Sequence, residues 1–449
     1  MKKKSLTSFD KTILAVLGLA ALALGFIVWQ GDRVGAQISA TFPPDGGEIS
    51  ATGKIGIQFK QAMQTKEVES RLQIEPATPG HFVWQGNTVW YLFDKILQAD
   101  VSYHFLLKAG ALAMDGRKVL QDQNVAFHVR QPDIIYLSAS KGQNELWIAP
   151  LDGGSQRKLT ATGGKVFDYA PSRDGEQIIY SVTNAQNGMD LWLIQRDGSQ
   201  NHILVNCGPD HCSQPAWSPD GSQIVYYREV LLQSAQNTIS GIWGVDTSTG
   251  KTDFVISGSQ PDWSPNGDWI AVMDSAAQVI RVLNVQTGKG IEVKASTDFL
   301  PQWQPGGLKL VYATLQEAGA LETVALFQVD LTTNQVSRIL DSLPGDLELS
   351  VPTYSPDGQN LVISMRSFTG GLTKQLWTMT ADGKNIQPIT QDQTYSNAGY
   401  SWNAWGSALV FQRLQMGVSN SAPQVLIWDR ASGELRVLAS QAALPAWLP

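Results

Sequence analysis

At 449 residues the chain is too long for one ordinary hydrophobic core, so two or more domains are expected. Apolar residues make up 43% and charged residues 16%, which marks a folded, lightly charged protein rather than a disordered one. A net charge of −7 argues against a nucleic-acid binder, which would need a basic face. The glycines and prolines fall in short turn-like clusters, as in an all-β chain.

Lys2, Lys3, Lys4 and Lys11 precede an uninterrupted apolar run over 12–29. At 1.5 Å per residue that run spans roughly 27 Å, close to the thickness of a hydrocarbon core. Basic residues before it and few after it predict residues 1–11 in the cytoplasm, a transmembrane signal anchor over 12–29, a linker over 30–36 and an extracytoplasmic remainder. The alternative is a cleaved signal peptide and a secreted protein, with Val34, Gly35 and Ala36 as the cleavage site.

Residues 37–131 carry short alternating runs: KIGIQF (54–59), HFVWQ (81–85), TVWYLF (88–93) and YHFLLKAG (103–110). PPDGG, PATPG and DGR separate them as turns. About seven short strands in this length is the pattern of a β-sandwich. The stretches TFPPDGG, IQFKQAM, YHFLLKAGALAMDGR and VAFHV resemble the bacterial Ig-like domains first described in S-layer proteins. That resemblance implies a spacer or adhesive module, with His81, His104 and His128 as sheet-face residues.

From 132 onward the chain repeats. PSRDGEQIIY at 171, WSPDGSQIVY at 217, WSPNGDWIAV at 263, WQPGGLKLVY at 303, YSPDGQNLVI at 354, WNAWGSALVF at 402 and a final WLP at 447 recur at intervals of 40–51 residues. Several strands per unit at such a period signal a β-propeller. In each unit an aromatic ends one strand, Pro-Asp-Gly or Pro-Asn-Gly turns the chain, and an apolar run such as QIVYY follows. A third strand such as DLWLIQRDG and a polar fourth such as NIQPIT complete it. These motifs resemble the TolB-like propeller repeat, and VLIWDRASG leans toward the WD-repeat form. Pro171 and Arg173, and later Ala404 and Trp405, depart from the motif, so weaker turns are expected there.

Before the first such turn, IIYLSA (134–139), ELWIAP (145–150) and SQRKLT (155–160) read as second, third and fourth strands lacking a first. The stretch around Trp447 reads as that missing strand. The expected fold class is therefore all-β: an N-terminal transmembrane helix, an Ig-like sandwich, and a seven-bladed propeller over 132–449 closed by the C-terminal strand. Six blades is the alternative if one unit near Trp303 is irregular. Trp217, Trp263, Trp303, Tyr354, Trp402 and Trp447 are expected to pack between blades as structural aromatics, with Trp447 beside 134–139 near the ring axis.

Cys207 and Cys212 in CGPDHC are read as a disulfide, as suits an exported chain. A metal site with His202, Asp210 and His211 is the competing reading, although one C-x4-C lacks the ligand spacings zinc favours. No G-x-S-x-G occurs, and the propeller resembles the non-catalytic half of prolyl-oligopeptidase-type enzymes without a hydrolase domain. Asp174, Asp220 and Asp357 are turn residues on this reading rather than calcium ligands. No catalytic residue, cofactor or metal is therefore expected. Function is expected to be binding of a protein or peptide outside the membrane, through loops at 184–190, 229–240, 316–322, 342–350 and 414–422. A sugar-binding or hydrolytic protein using the central channel is the alternative, and a self-assembling surface-layer protein a third.

Overall fold

The computed structural model describes residues 13, 15–22, 35–99, 101–140, 143–231, 239–296, 300–318, 321–341, 350, 352–366 and 373–449. The chain divides into two compact units. One holds Met1–Ile49, Lys54–Lys95 and Asp100–Val129; the other holds Ser50–Gly53, Ile96–Ala99 and Arg130–Pro449. The expected span over 12–29 lies largely outside the described residues; of it, 15–22 are helical, with Val16, Leu17, Leu19 and Leu22 exposed. Among the described residues no helix is long and apolar enough to cross a membrane.

The first unit is built from two four-stranded sheets. Ile38–Phe42, Lys54–Phe59, Thr88–Phe93 and Gly80–Gln85 form one in that order. Gly47–Ile49, Gln123–Val129, Ser102–Leu107 and Leu72–Glu75 form the other. Alternation decides which side chains are covered: Ile55, Ile57 and Phe59 are buried, as are Tyr103, Phe105, Leu107, Val125 and Phe127. His81 faces solvent and meets Asp94 at 2.9 Å, while His128 lies 3.4 Å from Ser102 Oγ.

In the second unit the strands fall into quartets, each an antiparallel meander. The first quartet holds Asp133–Ser140, Gln143–Pro150 and Arg157–Lys158, and Ala442–Leu448 supplies its missing first strand. The second holds Val166–Pro171, Gln177–Thr183, Met189–Gln195 and His202–Val205. His211–Trp217, Gln223–Glu229, Gly241–Asp246 and Thr252–Ile256 make the third. The fourth is Ser259–Trp263, Trp269–Asp274, Val279–Asn284 and Gly290–Lys294. The fifth is Gln302–Trp303, Lys309–Ala318, Leu321–Asp330 and Gln335–Asp341. Thr353–Tyr354, Asn360–Arg366, Lys374–Thr380 and Gln387–Pro388 form the sixth. Tyr395–Trp402, Ala408–Gln415, Gln424–Asp429 and Leu435–Ser440 form the seventh.

Hydrophobic burial joins each quartet to the next. Every repeat aromatic lies in a cluster shared with the preceding quartet. Trp217 packs with Leu191 and Val205, Trp263 with Val225 and Ile242, and Trp303 with Met273 and Val293. Tyr354 packs with Leu326, Trp402 with Val362 and Leu376, and Trp447 with Val410 and Ile427. The six aromatics keep only 7–9% of their surface exposed. Two indoles add a directional link: Trp217 Nε1 donates to Ala170 O at 3.0 Å, and Trp447 Nε1 to Ser401 O at 2.9 Å. Trp447 pairs directly with Ile134.

The tight turns repeat one hydrogen-bond pattern. Ser218 Oγ donates to Asp220 and accepts from Gln223 N, while Asp220 also accepts from Ser222 N. Ser355, Asp357 and Asn360 repeat it, and Asn266 takes the Asp role beside Ser264. The turn after Pro171 is not weaker, because Ser172 and Asp174, which make the bonds, are both kept. Nor is the turn after Trp402: Asn403 replaces the serine and accepts from Ser407 N and Ala408 N.

Glycine at these turns sits at positive φ, +68° at Gly175 and +75° at Gly221. A Cβ at Gly221 would meet nothing within 4 Å, whereas one at Gly175 would overlap the backbone of Pro449. Gly221→Ala should therefore cost about 1 kcal/mol, the strain of a left-handed residue alone. Gly175→Ala should cost roughly twice that, because the strand after Trp447 must also move. Equal urea midpoints for the two variants would contradict this account.

Candidate functional site

Antiparallel pairing places the start of each first strand beside the end of the second: His211 opposes Glu229, Ser259 opposes Met273, and Tyr395 opposes Gln415. The hairpin between second and third strands and the connection from one quartet to the next thus emerge at a single end. The other end carries only the tight turns. The first strands of most successive quartets stand in contact, and the bonds from Trp217 to Ala170 and from Trp447 to Ser401 join nearly equivalent heights. The same end therefore faces the same way around the ring.

The five expected loops join strands whose described ends lie on this side. Of them, 229–240, 316–322 and 342–350 lie partly or almost wholly outside the described residues. The 316–322 stretch is not a loop in its described part: Gln316 pairs with Thr323, Glu317 with Glu322 and Ala318 with Leu321. Pairing persists because the apolar alternation of VYATL continues in TVALF. In the seventh quartet strand pairing runs to Gln415, and the turn beyond exposes Met416 and Val418.

Beneath these loops lies a layer of buried polar side chains at the starts of the third strands. Glu145, which is 4% exposed, accepts hydrogen bonds from Thr160 Oγ1 (2.6 Å), Thr162 N (3.1 Å), Gly163 N (3.0 Å) and Gly164 N (3.1 Å). Burial alone would raise its pKa, but those donors and the Lys158 ammonium at 3.4 Å hold it below the ordinary value. Gln375 does the same work in the sixth quartet, donating to Asp392 O and Tyr395 O. Asp190 accepts from Cys207 N at 2.8 Å and Asn184 Nδ2 at 3.0 Å. Such groups fix the connection to the next quartet and deny the loops their freedom.

The inner wall repeats a second device. The first strands bulge three residues before the aromatic, where Gln214, Gln260 and Leu444 adopt φ of +55°, +54° and +50°. The amide this exposes is met by the preceding quartet: Gln214 N donates to Asp168 at 2.6 Å, Gln260 N to Gln214 Oε1 at 2.8 Å and Leu444 N to Gln412 Oε1 at 2.7 Å. Near these positions stand mostly small, amide or proline residues, among them Pro215, Ala216, Gln302, Thr353, Ser401 and Ala446. Two carboxyls interrupt them. Asp168 accepts from Ser181 Oγ and Gln214 N, and burial holds its pKa above the ordinary value. Asp262 is pushed up to about 7 by desolvation, which its hydrogen bond with the Trp263 backbone only partly offsets.

The residues of the alternative metal reading are not brought together. Asp210 is buried and bound by Arg228 Nε (2.9 Å) and Nη2 (2.7 Å), His211 lies against Glu229 and Asn187 O, and His202 turns to Gln200 O. Cys207 and Cys212 are joined, with their Cα atoms 6.3 Å apart. The buried anchors Glu145, Asp190 and Gln375 escaped the sequence reading. Their one signal is a polar residue opening an otherwise apolar third strand, as in NELWIAP, MDLWLI and KQLWTM.

Bulged first strands, shared aromatic clusters and loops gathered at one end define an all-β protein with a propeller-like domain. The family model of the TolB beta propeller domain matches residues 245–449. A protein of Agrobacterium fabrum, Atu1656, is 25% identical over 196 residues, covering 42% of this chain and 61% of its own length. The Tol-Pal system protein TolB of Francisella tularensis is 27% identical over 186 residues, covering 40% of each chain. The crystal structure of TolB from Acinetobacter baumannii, 15% identical, aligns over 86% of both chains with a TM-score of 0.42. The chain spans less than two thirds of the length of the curated relatives it matches. Over 245–449 the second unit is thus similar to TolB-type β-propellers.

Proposed function

We propose that this chain is a non-catalytic binding protein that works outside the cytoplasmic membrane, its propeller offering the loop-bearing end to a protein or peptide. In this reading the propeller has seven blades, the first unit is an Ig-like spacer, and 12–29 tethers the chain to the membrane. The observation that carries it is the one-sidedness of the second unit: loops and their buried anchors lie at one end, tight turns at the other. A relative named for the Tol-Pal system supports a protein partner.

The test is capture from envelope extracts by the full chain. Met416→Glu/Val418→Glu, at exposed loop-end positions, should abolish capture, and Val285→Glu/Leu308→Glu, at exposed positions among the tight turns, should leave it intact. The opposite pattern would assign binding to the other end. A channel-based sugar-binding or hydrolytic role is favoured by one feature, the Asp262 carboxyl poised near neutrality. On that reading Asp262→Asn would abolish ligand binding while the loop-end variants would not.

A further inference from the structure

We propose that the Cys207–Cys212 disulfide is a lock that welds the loop-bearing ends of the second and third quartets into one rigid platform. The bond closes the connection between those quartets, and both cysteines are buried, at 2% and 0% exposure. What the closed loop holds is specific. Asp210 O accepts from Met189 N at 2.9 Å and Gly208 O accepts from Asn184 Nδ2 at 2.7 Å, so the hairpin of the second quartet hangs on the loop. The Asp210 carboxylate takes two bonds from Arg228 and one from Leu231 N at 3.2 Å, which fixes the end of the third quartet's second strand. Arg228 in turn lies 5.5 Å over the Trp243 ring.

Two further features show that the contact is built rather than incidental. Met189 and His211 form a parallel bridge, which merges the two quartets into one eight-stranded sheet. Gly188 lacks the Cβ that would overlap the carbonyl oxygens of Gly208 and Asp210, so the two backbones pass within contact. The chain has no other cysteines, so every other junction lacks a covalent staple. The first-to-second junction has a parallel bridge of its own, Asn144 to Lys165, beside the Glu145 carboxylate, and the sixth-to-seventh uses the side chains of Gln375 and Asn397. A buried carboxylate such as Asp210 needs its partners held in register, and a covalent ring of this size holds them. Burial of both sulfurs keeps solvent thiols away from the bond, so the lock is permanent while the sheet is folded.

The platform's role in binding rests on the function proposed above; the lock itself does not, and it is read without a partner. Hydrogen exchange is measured on the full chain, on Cys207→Ala/Cys212→Ala and on Gly188→Ala, in which the disulfide remains. In both variants the amides of Met189 and Leu231 should exchange at least about tenfold faster, with amides of Val425–Asp429 in the seventh quartet unchanged and melting still cooperative. Unchanged exchange at Met189 and Leu231 in the cysteine variant would overturn the proposal. So would a variant that fails to fold or loses protection in the seventh quartet, since the bond would then support the whole ring. Faster exchange in the cysteine variant without any in Gly188→Ala would remove the backbone contact from the lock and overturn the weld as stated. Loss of capture with unchanged exchange would overturn the lock and leave the proposed function standing, whereas faster exchange with capture intact would keep the lock and remove this sector from the proposed function.

Discussion

Removing residues 443–449 should lower the melting temperature of the second unit by at least about 10 °C, against a far smaller shift for trimming an exposed loop of equal length. The strand Ala442–Leu448 pairs with Asp133–Ser140 and places Trp447 between the seventh and first quartets and Leu448 between the first and second. Losing a buried Trp costs about 3–5 kcal/mol and a buried Leu about 2–5. At roughly 2 °C per kcal/mol for a domain this large, those two side chains alone account for the shift. Polar losses add to it, since Arg130 Nη2 donates to Pro449 O at 2.9 Å and Arg196 binds Leu448 O at 3.2 Å while pairing with Asp133 at 2.6 Å. Trp447→Ala should produce about half the effect by differential scanning calorimetry. A deletion that melts with the intact chain would disprove closure by this strand.

The second large effect is expected at Glu145. Glu145→Gln should destabilise the second unit by about 2–3 kcal/mol at pH 7, because an amide offers one acceptor where the carboxylate serves five donors. The effect carries a pH signature. The folded pKa is depressed, so the carboxylate's contribution is fully present above the unfolded value of about 4.3 and is lost as pH falls through the lower folded value. Urea midpoints of wild type and Glu145→Gln should therefore converge in acid and reach their full separation by about pH 5. A gap that stays constant with pH would mean that the charge is not what holds 160–164.

The repeat was legible because each unit spends its most distinctive residues on geometry. An aromatic that must fill the gap between neighbours, and an Asp-Gly that must turn the chain, recur whatever the partner is. The paired strand at 442–448 was legible for the same reason. The bulge at Gln214 and Gln260 was not, since Gln has no preference for positive φ and the bond that sustains it comes from 46 residues earlier. Glu145 and Asp190 were hidden likewise: their partners include backbone amides, which every sequence supplies. The 316–322 stretch misled because LQEAGALE is rich in residues disfavoured in strands, yet a long partner across the hairpin carries the register through. Which loop residues meet a partner was not legible, because nothing in the ring's own packing constrains them.

The separation of turns from loops has a consequence for how such a chain tolerates change. The tight turns set the ring's thickness, and at Gly175 a single added carbon collides with another strand. At the opposite end a hairpin may lengthen, as Lys309–Ala318 and Leu321–Asp330 do, without disturbing the aromatic cluster beneath it. Insertions accumulated in any repeat thus enlarge one common surface, and the ring becomes a chassis whose variation is all delivered to the same side.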